Sequence, residues 1–202
     1  MKKIPLKIAV FIAIFYVLSA LIAFLLKDDA NSYGRVLLHE MYESENIDIL
    51  YCGSSHVSHG IVSKIANEKT GKNNFSTGTA SQSIFGTYAI LKQAAKIHKI
   101  STVFLEMEFA MATKTSSAQK SGFTEDYIVA NGIKDPKIKF DLLTSISKPK
   151  YYLNHFLPIG KDKQLTLNPA KIAKKLQSIF SGEYFKYVYS EKGSEYAGGV
   201  QF

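Results

Sequence analysis

The sequence turns on Asp48-Ile-Leu-Tyr-Cys-Gly-Ser-Ser-His-Val57. An apolar run over 47–52 stops abruptly at Gly53. Two serines and a histidine follow, and a helix-like segment begins. A buried parallel strand that delivers a hydroxyl at its C-terminal end has this form, because strands covered on both faces read as continuous apolar runs.

Working outward toward the C-terminus, the pattern alternates. Residues 57–70 have helical spacing (Ile61, Val62, Ile65, Ala66), with Gly71 as the stop. Residues 74–76 make a short second strand. A longer helix covers 81–98, with Ile84, Tyr88, Leu91, Ala95 and Ile97 near one face. Residues 101–107 make a third apolar strand. Strand, helix, strand, helix, strand within about sixty residues predicts parallel strands with right-handed crossovers. Ligands bind such sheets at the carboxyl ends of the strands. Here those ends are 53–56, 76–82 and 106–109. Past residue 109 the pattern weakens. Residues 110–122 read as a loop, 135–146 as a short helix, and 170–180 as a helix with Asn168 as cap, Pro169 in the first turn and Gly182 as stop. The aromatic run 184–189 has no evident packing partner.

Working outward toward the N-terminus, residues 8–26 form 19 residues without a charge, close to the ~20 needed to cross a bilayer. Lys2, Lys3 and Lys7 precede this span, and Lys27-Asp28-Asp29 follow it. The positive-inside rule then places residues 1–7 in the cytoplasm and the rest of the chain outside, as a single-pass membrane protein. A cleaved signal peptide is the rival reading, but its apolar region is usually shorter and no small-x-small site closes this one. The expected organisation is a tail (1–7), a transmembrane signal anchor (8–26), a connector (27–46) and an extracytoplasmic α/β domain (47–202) with its core in 47–109.

The net charge is +8, and the lysines are spread along the chain rather than gathered in a block. That distribution argues against nucleic acid as a partner and fits an anionic lipid surface or wall polymer. Cys52 is the only cysteine, so neither a disulfide framework nor a cysteine metal site can be built. Its place inside the apolar strand makes it a buried structural thiol. No phosphate loop of the right spacing and no metal-ligand set occurs, so no cofactor or metal is expected.

With these residues in view, the chain resembles the SGNH/GDSL hydrolase superfamily. The 48–56 stretch is similar to the first block of that group, Gly-Asp-Ser after a strand. It is closer still to a membrane-anchored branch with Gly-Ser-Ser, whose members modify bacterial wall and exopolysaccharides by O-acylation. Asn74-Phe-Ser-Thr-Gly-Thr-Ala-Ser-Gln-Ser resembles the second block, and Val103-Phe-Leu-Glu-Met-Glu-Phe the third strand. The resemblance covers about 47–109 and the anchor. It implies a three-layer, flavodoxin-like parallel sheet and an esterase or O-acyltransferase that works through a serine acyl-enzyme. It implies Ser55 as nucleophile, Ser54 in the position of the family aspartate, and the Ser55 and Gly78 N–H groups as oxyanion donors. Asn74 and Gln82 stand in the block that contacts substrate, with Gln82 a side-chain donor. The partners implied are the lipid bilayer, a polysaccharide substrate and a membrane acyl-donor protein.

The chain departs from the family in one respect. No Asp-x-x-His, which supplies the family's base, occurs in the 202 residues, and Glu106 and Glu108 stand where Gly-x-Asn-Asp would be. Two expectations follow: an N-terminal piece of a longer protein, inactive alone, or a non-catalytic binding or scaffold subunit of a polysaccharide-modifying assembly. Plain readings compete at single residues. Ser55 can be a helix cap. His56 cannot easily face the hydroxyl of adjacent Ser55. His59, one turn on, can reach the site as an accessory, and Glu106 can either face the site mouth or be a solvated strand end. The lysines of 168–180 read as a solvated helix face, with an anionic membrane as the alternative.

Overall fold

Among the described residues, the run that stops at Gly53 becomes the central strand of a three-stranded parallel sheet. A computed structural model describes residues 3–27, 33–107, 124–147, 149, 157–159 and 165–187. In chain order the elements are α1 (Lys3–Leu26), α2 (Tyr33–Glu43), β1 (Ile49–Cys52), α3 (Ser55–Gly60), α4 (Ser63–Thr70), β2 (Asn74–Ser76), α5 (Ile84–Ile97), β3 (Thr102–Leu105), α6 (Thr124–Gly132), α7 (Pro136–Ser145) and α8 (Pro169–Phe180). A 3-10 turn at Glu183–Phe185 follows. The chain divides into two compact units, one of residues 32–148 with 187–202 and the other of residues 1–31 with 149–186.

In the first unit the sheet order is β2-β1-β3. Leu50 pairs with Phe75 on one side and Val103 on the other, and Cys52 pairs with Leu105. Leu50, Cys52 and Phe75 are buried and join α2 (Leu37, Leu38, Met41), α5 (Ala89, Ile90, Ala94), α6 (Val129, Ala130) and α7 (Ile138, Leu142) in one core. The fold is therefore mixed α/β around a small parallel sheet. The expected single helix over 57–70 is two helices. Ile61 and Val62 are extended between them, where Gly60 and a β-branched pair weaken the helix. Gly71 is left-handed and stops α4 as read. Helix α5 starts three residues later than expected, because Ser81 is left-handed (φ 52°) and Ser83 supplies the cap to Phe85 and Gly86. Helix α6 was not anticipated. The 110–122 loop and Glu108 lie outside the described residues.

In the second unit, α1 from Pro5 to Leu26 is 22 residues long and apolar enough to cross a membrane. At about 1.5 Å per residue it matches a ~30 Å hydrocarbon core. Side chains 5–18 are exposed throughout. Asn168 caps α8 through the N–H groups of Ala170 and Lys171, with Pro169 in the first turn, and left-handed Gly182 follows it. Tyr184 finds a partner after all, since its ring is edge-on to Phe24 at 5.7 Å.

Candidate functional site

The carboxyl ends of β1 and β3 meet because Cys52 and Leu105 are register partners. The ladder continues one step, with Glu106 N–H donating to Cys52 O at 2.9 Å. That step sets the Glu106 side chain over Gly53. A Cβ built on Gly53 would run into the Glu106 carboxylate and come within 2.5 Å of Val57, so only glycine admits the carboxylate there.

Glu106 gathers three donors. The Ser54 N–H reaches Oε2 at 2.6 Å. The Ser54 hydroxyl donates to the carboxylate at 3.0 and 3.1 Å. Nδ1 of His56 lies 2.8 Å from Oε1 and 3.2 Å from the Ser54 hydroxyl oxygen. The Glu106 side chain is 14 % exposed and that of His56 68 %. A carboxylate largely withdrawn from water needs such donors to offset its lost hydration. A carboxylate on Nδ1 holds the imidazole with its proton on that nitrogen and leaves the Nε2 lone pair for chemistry.

Ser54 occupies the N-cap position of α3, yet its side chain makes no cap bond, because the hydroxyl is turned to Glu106. Ser55 is the first residue of α3 and half-buried. The cap position therefore falls to Ser54, and Ser55 is the more accessible hydroxyl of the two. Gly78 abuts this turn: a Cβ there would lie 2.5 Å from Ser54 O and 2.6 Å from Ser58 N. Among the described residues neither the Ser55 nor the Gly78 N–H donates to a backbone carbonyl. First-turn amides have no partner within their own helix.

Other residues singled out in the sequence stand elsewhere. Asn74 opens β2, at the opposite end of the sheet from Glu106. Its amide donates to Asn67, Thr70 and Lys72 O, and its oxygen accepts from the Tyr51 hydroxyl. It braces the α4–β2 turn. Gln82 is fully buried, accepting from Thr79 and donating to Thr87. It braces the loop into α5. His59 is exposed near the end of α3. The residue that sequence reasoning passed over is His56. Its ring reaches back to Ser54 and across 50 residues to Glu106.

Burial pushes the Cys52 thiol up to about 11, with a hydrogen bond to the Thr77 side chain acting the other way, as expected of a structural rather than reactive cysteine. Among the described residues no group of three or more His, Cys, Asp or Glu side chains is placed to hold a metal ion. No family model matches the chain, and neither a curated protein nor a solved structure matches it.

Proposed function

We propose that this chain is a membrane-anchored, extracytoplasmic acyl-transfer protein of the SGNH kind, acting on a wall polymer or exopolysaccharide. The observation that carries the reading is the Glu106–His56 contact at 2.8 Å, set beside two serines at the carboxyl ends of parallel strands. It offers a base within the described residues where the family's Asp-x-x-His is absent.

Ser55 Oγ attacks the acyl carbonyl carbon. Its proton passes through one water to Nε2 of His56, a route open to a general base. The carbonyl oxygen, now an oxyanion, meets the N–H groups of Ser55 and Gly78. Collapse expels the donor's leaving group, which takes the proton from His56. The acceptor hydroxyl then gives its proton to His56 and attacks the acyl-enzyme, and Ser55 recovers its proton as the ester leaves. Ser54 is the positioning residue that holds Glu106. A tether suits an acyl donor and acceptor presented at the membrane, and the lysines that precede the anchor favour a cytoplasmic N-terminus.

The test is labelling of the intact chain by a fluorophosphonate. Labelling lost in Ser55→Ala supports the assignment, and labelling that survives Ser55→Ala overturns it. A second reading, a non-catalytic polysaccharide-binding subunit, is favoured by the Ser54 hydroxyl and the Gln82 amide already being engaged inside the fold. Saturable polysaccharide binding without any labelling selects it.

A further inference from the structure

We propose that residues 165–186 lie in the interface of the bilayer that α1 crosses, with Phe180, Leu167 and Phe185 among the lipid acyl chains; this rests on reading α1 as a membrane span. The segment is built onto the end of that helix. Lys27 and Leu165 form an antiparallel bridge, and the Thr166 N–H donates to Leu26 O at 2.9 Å. Lys175 is not the solvated lysine its sequence neighbours suggest. It is 3 % exposed, and its ammonium donates to Phe24 O at 2.5 Å and Lys27 O at 2.9 Å. The Phe24 ring lies 4.4 Å and the Tyr184 ring 5.3 Å away. A cation on the last carbonyls of a helix satisfies groups that have no partner inside it.

These contacts fall on the last turn of α1, within about 5 Å of its end by helical rise. The polar layer on each side of a bilayer is about 5–7 Å deep. The segment therefore sits at the boundary between headgroups and acyl chains. Its surface suits that depth. Leu167 and Phe180 are each 86 % exposed and Phe185 59 %. On α8, Pro169, Ala173 and Phe180 share one narrow flank by helical spacing and all are exposed, while Lys171 and Lys174 project from the far side. In water that flank would be an uncompensated apolar patch; at an interface it is the face that enters lipid. The segment carries four lysines against one glutamate, which adds attraction to anionic headgroups.

The experiment uses the full chain in phosphatidylcholine–phosphatidylglycerol vesicles, with single cysteines carrying an environment-sensitive dye and lipids carrying a nitroxide quencher. Cys52→Ala removes the native thiol. Phe180→Cys and Leu167→Cys are expected to give blue-shifted emission and to lose most of it to the quencher, while Lys174→Cys gives water-like emission that survives. Phe15→Cys reports α1 itself. Quenching at position 15 with water-like emission at 180 and 167 overturns this inference alone, whereas no quenching at 15 overturns the anchor reading beneath it. A blue shift at 180 without quenching places a protein surface there and also overturns the inference.

Discussion

Strands β1 and β3 are both short and mostly apolar, Ile-Leu-Tyr-Cys and Thr-Val-Phe-Leu, and pair residue for residue in parallel. Their surroundings are opposite. Leu50 and Cys52 are fully buried, while Val103, Phe104 and Leu105 are 40 %, 53 % and 43 % exposed. An apolar run is enough to predict a strand, but burial comes from what packs on it: among the described residues β2 and β3 both flank β1, yet β2 is buried throughout with Phe75 in the core, and no residue of β3 joins that core. The difference matters for the site because each strand supplies half of it. Gly53, Ser54 and Ser55 stand on packed ground. Glu106 stands on the edge strand and is held by its hydrogen bonds to Ser54, His56 and Cys52 O.

The largest effect that separates the strands is a cavity. Leu50→Ala should lower stability by about 2–5 kcal/mol, read by denaturant unfolding of the chain in detergent. A loss as small as that expected for an edge residue would break the comparison. Next is the Cys52 thiol. Below about pH 9 it is protonated in both folded and unfolded chains. Between 9.0 and about 11 the unfolded thiol ionises first, so stability falls across that window. The fall should be steeper than in Cys52→Ala by roughly 2–3 kcal/mol, and parallel curves for the two proteins would count against a buried thiol. Gly53→Ala sets a methyl where the Glu106 carboxylate lies. It should cost about 1–3 kcal/mol and break the His56–Glu106 hydrogen bond, read as a loss of the slowly exchanging His56 Nδ1–H signal by NMR; an unchanged signal would separate the two residues. The smallest effect is on the edge. Phe104→Thr keeps the strand but removes the exposed ring stacked on Tyr51 at 5.0 Å, and should cost under about 1.5 kcal/mol. A cost approaching that of Leu50→Ala would show that β3 is covered after all.

The strands, α5 and the punctuation of α8 were legible because each is a periodic or apolar run bounded by Gly, Pro, Ser or Asn. Helix α6 was not, since its nine residues carry no apolar stripe and Val129 and Ala130 are buried by α2 and α5. At the site, Ser55, Gly78 and Glu106 were each readable at a strand end. The cluster of Ser54, His56 and Glu106 was not, because it depends on the register of β1 against β3 and on a ring that reaches back two residues. Asn74 and Gln82 carry the polar groups a substrate site would need. Only the fold reveals that their amides tie down turns.

In the proposed mechanism Glu106 makes His56 the base for Ser55. The rate of fluorophosphonate labelling of the intact chain, measured in wild type, Ser55→Ala and Glu106→Gln, tests it most directly. No labelling is expected in Ser55→Ala, and a rate lower by about 10²-fold or more in Glu106→Gln, the scale of a lost general base. Wild-type labelling in Glu106→Gln, or labelling that persists in Ser55→Ala, would contradict it.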